Sequence, residues 1–374
     1  MRITEVEPII LRLDQVDPTR ADGTQDAFLV RIFTDEGLVG VGEADTSPYV
    51  AKTIVEMPAS HSTARGLSEL LVGADPLAID HLWTLMWAGS FHYGGAGAAL
   101  HAISAIDIAL WDIAGQAAGV PVSELLGGRR RDAVSVYASE VMPETGGQVR
   151  TIAERVVSSG YTAIKLGWGP LGQNLENDVQ LVTAAREAIG PERKLMVDGG
   201  RAYSVETALD LIAALEPLDI HWLEEPLEPG DYPGYRRLSD ATSVRIAAGE
   251  ADSGIAPYRA LVTEGHVNVL QPDLGRCGGF TVARQIAHLA ATAGVEVVPH
   301  CFSSGVLVAA SLQFTSVLDQ AAALSEYSVS GSPLVNDLVG VQFQLQSGKL
   351  PVPTAPGLGV TLDAKLLESL RYDR

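Results

Sequence analysis

From about Val134 onward the chain repeats one pattern: a short β-rich run, a turn, then a helix-length amphipathic segment. The runs fall at Val134–Ala138, Thr162–Leu166, Lys194–Val197, Ile220–Leu223, Arg245–Ala248, Val267–Leu270, Val295–Pro299 and, more weakly, Leu324–Tyr327. Alternating strand and helix signals specify a parallel sheet covered by helices. Eight strands within roughly two hundred residues suit a closed α/β barrel better than an open sheet. The intervening helices include Asn177–Ile189, Val205–Ala214 and Gly279–Ala293, the last with Val282, Ile286 and Leu289 at helical spacing.

The region before this repeat reads differently. Thr4–Leu13, Ala27–Thr34 and Gly40–Ala44 alternate as antiparallel strands, and Asp35-Glu36-Gly37 makes a hairpin turn. A long helix follows from about Gly97 to Ala118, with Leu100, Ile103, Ile106, Leu110 and Ile113 on one stripe, and it stops at Gly119 and Pro121. Residues 1–127 are therefore expected to form an α+β module, with Gly127-Gly128 as the hinge into a barrel over 128–340. The tail, 341–374, returns to alternation without helix length, and Pro351 and Pro353 argue for an edge path packed on the first module.

A chain of 374 residues is ample for a barrel with an attachment, and 47 % apolar with 19 % charged residues is ordinary for a globular enzyme. The net charge of −20 disfavours nucleic acid as a partner, since the only basic cluster is Arg129-Arg130-Arg131, read as a solvated connector at a Gly-Gly turn. The opening segment MRITEVEPIILRL carries acidic residues and lacks a small-residue cleavage site, so it does not read as a secretion signal. No apolar run is expected to reach membrane-spanning length, so no membrane partner is expected. Two cysteines, Cys277 and Cys301, cannot form a secreted-type disulfide framework. A cytoplasmic location with inert buried thiols is the expectation.

Three carboxylates, Asp198, Glu224 and Glu250, stand at equal intervals of 26 residues, each where an apolar run ends. Hard oxygen ligands on one rim make a divalent-metal site, and Mg²⁺ is its usual occupant. Lys165, Asp273, His300 and Glu326 fall at the same ends of other strands, the end where barrel active sites are built. A single such residue is as readily a helix cap or a surface charge, but seven at one rim are hard to dismiss. His300 follows an apolar strand and Asp273 ends the preceding one, so the carboxylate would orient the imidazole as a general base.

These residues resemble the enolase superfamily, mandelate racemase subgroup. The similarity runs along the whole chain, through HAISAIDIALWDIAGQAAGVPVSELLGG, WLEEP, AAGE and PHCFSSG. It implies a (β/α)₇β TIM-type barrel with an N-terminal α+β capping domain completed by the C-terminal tail. It implies Mg²⁺ on Asp198, Glu224 and Glu250, a small-molecule carboxylate substrate, and a homo-oligomer. His300 would take the proton α to the carboxylate, Lys165 would add positive charge beside its oxygens, and Glu326, protonated or sharing a proton, would donate a hydrogen bond to the oxygen that gains charge.

One departure matters. Racemases of this kind carry Lys-x-Lys at the second strand, whereas here the motif is Lys165-Leu166-Gly167. Without two opposed bases, inversion of a stereocentre is disfavoured, and loss of a β-hydroxyl to give a 2-keto-3-deoxy acid is favoured. The expected activity is acid-sugar dehydration; the rivals are a racemase or epimerase and a non-catalytic binding descendant. A second departure, Asp198-Gly199-Gly200-Arg201, leaves room where the family often has Asn, so Arg201 or Tyr203 could reach the substrate. Trp168 offers an indole N–H, and the lid loops implied by the resemblance, Asp14–Asp26 and Thr46–Val55, offer Arg20 and Tyr49.

Overall fold

The computed structural model describes residues 1–321, 323–340 and 343–373. It opens with an antiparallel sheet of β1 (Ile3–Arg12), β2 (Asp26–Thr34) and β3 (Val39–Ala44), in that order. On β2 the alternate residues Phe28, Val30 and Ile32 are buried in one cluster with Ile103, Ile106 and Leu110 of the helix Ala98–Ala118. The opposite side of that helix, through Ile108 and Trp111, joins the barrel core. Being covered on both sides, it is apolar nearly all round. With 21 residues and a mean hydropathy of 1.3 it is the one helix among the described residues long and apolar enough to cross a membrane. That corrects the expectation that no run reaches this length; 83 % of its apolar window is buried inside the protein.

Buried carboxylates tie the cap to the barrel. Asp112 of the long helix accepts from the backbone N–H of Val41 (2.9 Å) in β3 and of Leu358 (2.8 Å) in the tail. Asp107 accepts from the N–H of Thr281 (3.1 Å) at the start of the helix Gly279–Ala293. Glu43, near the end of β3, accepts from Ser303 Oγ, Ser304 Oγ and the N–H groups of Ser304 (3.0 Å) and Leu307 (2.8 Å), capping the helix Gly305–Val317. Burial raises the pKa of Glu43 to about 7 against those four donors. Glu43→Gln turns an amide toward two of the donors and should cost about 1–3 kcal/mol. A pKa raised on folding stabilises below the unfolded value and is lost as pH rises through about 7. The penalty, read by chemical denaturation, should therefore be larger at pH 5 than at pH 8; the opposite trend would contradict this account.

All eight expected barrel strands form: β4 (Ala133–Val141), β5 (Ala163–Gly167), β6 (Lys194–Asp198), β7 (Trp222–Glu224), β8 (Ile246–Ala248), β9 (Val269–Leu270), β10 (Glu296–Val297) and β11 (Leu324–Ser328). Each pairs in parallel with the next from β4 to β10, and β11 pairs with β4, which curls the sheet back on itself. Among the described residues no ladder joins β10 to β11. There the Gln320 amide bridges, donating to the carbonyl of Val297 (2.7 Å) and accepting from its N–H (3.1 Å). The barrel interior is filled by Tyr137, Met196, Trp222, Val269 and Val298, so it is a packed core rather than a pore.

The tail packs on the cap and also adds a strand to the barrel. The start assigned to it, Val341, lies outside the described residues. β12 (Lys349–Pro351) pairs antiparallel with Ala133–Ser135 of β4, the part of that strand which β5 leaves open by pairing only from Ala138. The tail meets the cap at two places: Gly357 exchanges backbone hydrogen bonds with Val120 (3.0 Å) and Val122 (2.8 Å) beside the Leu358–Asp112 bond, and after a short helix at Ala364–Leu370 the Tyr372 N–H donates to the carbonyl of Ile10 (2.9 Å). The arginine trio also proves less solvated than read. Arg131 donates to the carbonyls of Thr315 (3.0 Å) and Leu318 (3.1 Å), and Arg130 to that of Val317 (3.1 Å), closing the C-terminus of the helix Gly305–Val317 with positive charge.

Candidate active site

Strands β7 to β10 stop after two or three residues, so Glu250, Asp273 and His300 stand just beyond their ladders, while Asp198 and Glu224 end β6 and β7 side by side in register. Asp198, Glu224 and Glu250 are all buried, and one oxygen from each lies within 4.8 Å of the others. Lys165 and Glu326 sit a layer deeper, inside β5 and β11 rather than at their ends. The Lys165 ammonium reaches up to Glu326 Oε1 (2.9 Å) and Asp198 Oδ2 (3.4 Å) and makes a short contact with Glu224. Burial opposes its charge, but these carboxylates outweigh burial and hold its pKa well above the ordinary lysine value.

On the other side of the carboxylates, His300 Nδ1 lies 2.6 Å from Asp273 Oδ2 and Nε2 lies 3.1 Å from Glu250 Oε2. Burial disfavours the imidazolium, yet Glu250, Glu326 and Asp273 together raise its pKa to about 10. Burial also pushes Glu326 upward, but Lys165 and His300 overcome it and bring Glu326 to about 2. Glu326 Oε2 accepts from the Cys301 N–H (2.9 Å). Lys165 (2.9 Å) and His300 (3.8 Å) both approach it, and their charges favour its ionised form.

A cavity of about 370 Å³ opens over these groups, lined also by Trp168, Arg276 and Phe302 from the barrel and by Asp22 and Asp45 from the cap. A region described as enolase C-terminal domain-like matches residues 148–366, and a mandelate racemase / muconate lactonizing enzyme N-terminal domain matches residues 15–127. The chain belongs to the enolase superfamily, mandelate racemase subgroup. As a member of that subgroup it is 32 % identical to a D-galactarolactone cycloisomerase of Agrobacterium fabrum, over 92 % of this chain and 90 % of the relative. It is also 32 % identical to a D-gluconate dehydratase of Thermoproteus tenax, over 99 % of this chain and 74 % of that one. A racemase from Streptomyces coelicolor A3(2) solved with bound magnesium superposes with a TM-score of 0.87 at 29 % identity, covering 99 % of this chain and 100 % of that one.

The carboxylates of this family member suit a hard divalent cation. Burial raises Glu224 to about 8 and Asp198 to about 6, with the neighbouring carboxylates adding to the rise and Lys165 opposing it. Glu250 Oε2 takes no hydrogen bond despite its buried position. Three such carboxylates crowd one place, with Lys165 and His300 as the cations that touch them, and a bound cation of charge two would suit that concentration of negative charge. Asp45 and Asp273, by contrast, are answered by a cation of the chain itself: Arg276 lies 2.7 Å from Asp45 Oδ2 and 3.9 Å from Asp273 Oδ2.

Not every expected substrate contact reaches the cavity. Trp168 lines it. Arg201 does not; its guanidinium stacks 5.1 Å from the Trp168 ring centre on the outer side. Both residues hold a left-handed backbone, φ 59° and 63°, a conformation that L side chains rarely adopt. Gly200 is open because a Cβ there would lie 3.0 Å from the indole, so the room left after Asp198 is filled by Trp168. Tyr203 donates its hydroxyl to the buried Asp178 (2.9 Å), a structural bond. Tyr49 is half exposed and packs edge-on against Tyr372. Arg20 stops at the rim, 3.8 Å from Glu140. Sequence reasoning missed Arg276 and Asp45, although the first lies one turn past Asp273 and the second shares the strand-alternation face of Glu43. Both cysteines are buried, with burial holding their thiols well above the ordinary range, so neither is a nucleophile.

Proposed function

We propose that this protein is a Mg²⁺-dependent acid-sugar dehydratase. The observation that carries the reading is the single base facing the cavity. Lys165 is committed to three carboxylates, and the place of a second base is taken by Gly167, where even a Cβ would lie 2.2 Å from that of Asp198. With one base, a proton can be removed but not delivered to the opposite face of the same carbon. That supports elimination over inversion.

Asp198, Glu224 and Glu250 would hold Mg²⁺, which supplies positive charge to a bound carboxylate and lowers the cost of the enediolate. Lys165 adds a fixed cation beneath the same place, and Glu326 keeps it pointing there. Glu250 is the largest of the charges that hold the imidazole protonated, so with Glu250 engaged as a ligand His300, oriented through Nδ1 by Asp273, can become neutral and take the proton on the carbon next to the carboxylate. The C–O bond at the β-carbon then breaks, and in a syn elimination the same imidazolium returns its proton to the departing hydroxyl, releasing water. The enol left behind tautomerises to a 2-keto-3-deoxy acid.

A second reading shares all steps but the last. Where the β-oxygen belongs to a ring, elimination would open the ring and no water would leave, an isomerisation, and one relative is named a cycloisomerase. A screen of sugar acids and their lactones with Mg²⁺, followed by semicarbazide absorbance and product mass, separates the readings. Loss of one water supports dehydration; an isomeric keto product supports ring opening. Deuterium uptake without either product would favour an epimerase and overturn the proposal. Chelation should lower turnover by at least about a thousandfold, restored by Mg²⁺.

A further inference from the structure

The cavity has two unlike halves. One holds Lys165, His300 and two of the three proposed ligands, Asp198 and Glu250, which serve a carboxylate and the proton beside it. In the other, toward the cap, the lining charges are Asp22, Asp45 and Glu140 against a single cation, Arg276. That cation is spent: Arg276 pairs with Asp45 Oδ2 (2.7 Å) and donates to the carbonyls of Asp45 (3.0 Å) and Glu250 (3.2 Å). Asp22 uses Oδ1 alone, accepting from the N–H (2.9 Å) and hydroxyl (2.6 Å) of Thr24. Glu140 is only 8 % exposed and lines the wall. From outside the lining, Arg155 approaches it to 3.2 Å and Arg20 to 3.8 Å. Trp168 and Phe302 add aromatic wall.

Carboxylate oxygens accept hydrogen bonds from hydroxyls, and an aromatic wall suits the C–H faces of a sugar chain. A second carboxylate placed there would instead face the like charges of Asp22 and Glu140, with Arg276 already spent on Asp45 and no uncommitted cation among the lining residues. We infer that the substrate carries one carboxylate and a neutral polyhydroxy end, an aldonate rather than an aldarate, and that Glu140 sets this preference. It does so twice over, by its own charge and by keeping Arg20 and Arg155 occupied. The inference rests on the dehydratase reading only for which end of the substrate reacts.

The test compares binding of six-carbon sugar monoacids with their diacid counterparts, by calorimetry in Mg²⁺ on the His300→Asn protein, so that no turnover is needed. Monoacids should bind at least about tenfold more tightly. Glu140→Gln in the same background should cut that preference about fivefold or more by strengthening diacid binding, because it removes a charge and releases two arginines. Arg20→Gln should leave the preference unchanged; if Arg20 instead captured a distal carboxylate, this variant would lose diacid binding selectively. Diacids binding as well as monoacids, no measurable binding of either, or equal weakening of both classes by Glu140→Gln overturns the inference. A monoacid preference in a protein whose wild type dehydrates neither class would refute the dehydratase reading and leave the charge argument standing.

Discussion

Exchange of the α-proton with solvent deuterium should fall by about a thousandfold or more in His300→Asn, while Mg²⁺ still binds. The reason lies in how commitments are divided around the cavity. Asp273 touches the imidazole at Nδ1 (2.6 Å) and is not among the three proposed ligands, so removing the ring leaves Asp198, Glu224 and Glu250 in place. Beside the proposed ligands, Lys165 is held as an ammonium and Asp45 is paired with Arg276, so neither takes the place of the imidazole. The exchange is read by proton NMR on a sugar acid in deuterium oxide, and metal binding by calorimetry. Exchange above about one hundredth of the wild-type rate would mean that a different group is the base.

Adding one methyl group at Gly167 should be nearly as damaging, and by another route. A Cβ there lies 2.2 Å from the Cβ and 2.6 Å from the carbonyl oxygen of Asp198, both on the neighbouring strand and in register. Backbone cannot swing aside as a flexible side chain can, so Gly167→Ala must push β5 and β6 apart or turn the Asp198 carboxylate. We expect Mg²⁺ affinity to fall at least about tenfold and folding stability by about 1–3 kcal/mol. Gly167→Lys should lose the metal in the same way and gain no racemase activity, since a base cannot be installed where its own Cβ does not fit. Calorimetric Mg²⁺ titration of Gly167→Ala decides the matter. Wild-type affinity would show that the strands yield and that the absence of a second lysine has a cause other than packing.

The two experiments bear on different parts of one mechanism. The first asks whether His300 moves the proton, and the second whether the opposite face is closed by packing.

The chain's residues disclosed more of this site than is usual, for identifiable reasons. The eight strand positions were legible because the helix and strand periods alternate cleanly, and the metal triplet was legible because each carboxylate follows an apolar run at a fixed interval. A strand that ends at Asp198 must carry its side chain to the rim wherever the following loop goes. Lys165 and Glu326 were located to the correct strands but a layer too high. Their strands run on to Gly167 and Ser328, and how far a strand extends depends on pairing with its neighbours rather than on local pattern.

What only the tertiary structure decided are the charges and contacts set by residues far apart in the chain. Lys165 and His300 both meet Glu326 and favour its charged form; no local feature of LSEYS states that. Arg201 and Tyr203 were near enough in sequence to be substrate contacts, but one backs Trp168 and the other is bound to Asp178. Arg276 is consumed by Asp45, from the cap, 231 residues away. Periodicity fixes which face a residue presents, so the sequence by itself determined the barrel, its rim and the groups on that rim. It carries no record of which distant side chain will arrive opposite each one, and in a buried, low-dielectric site that arrival decides protonation, pairing and what a substrate can find free.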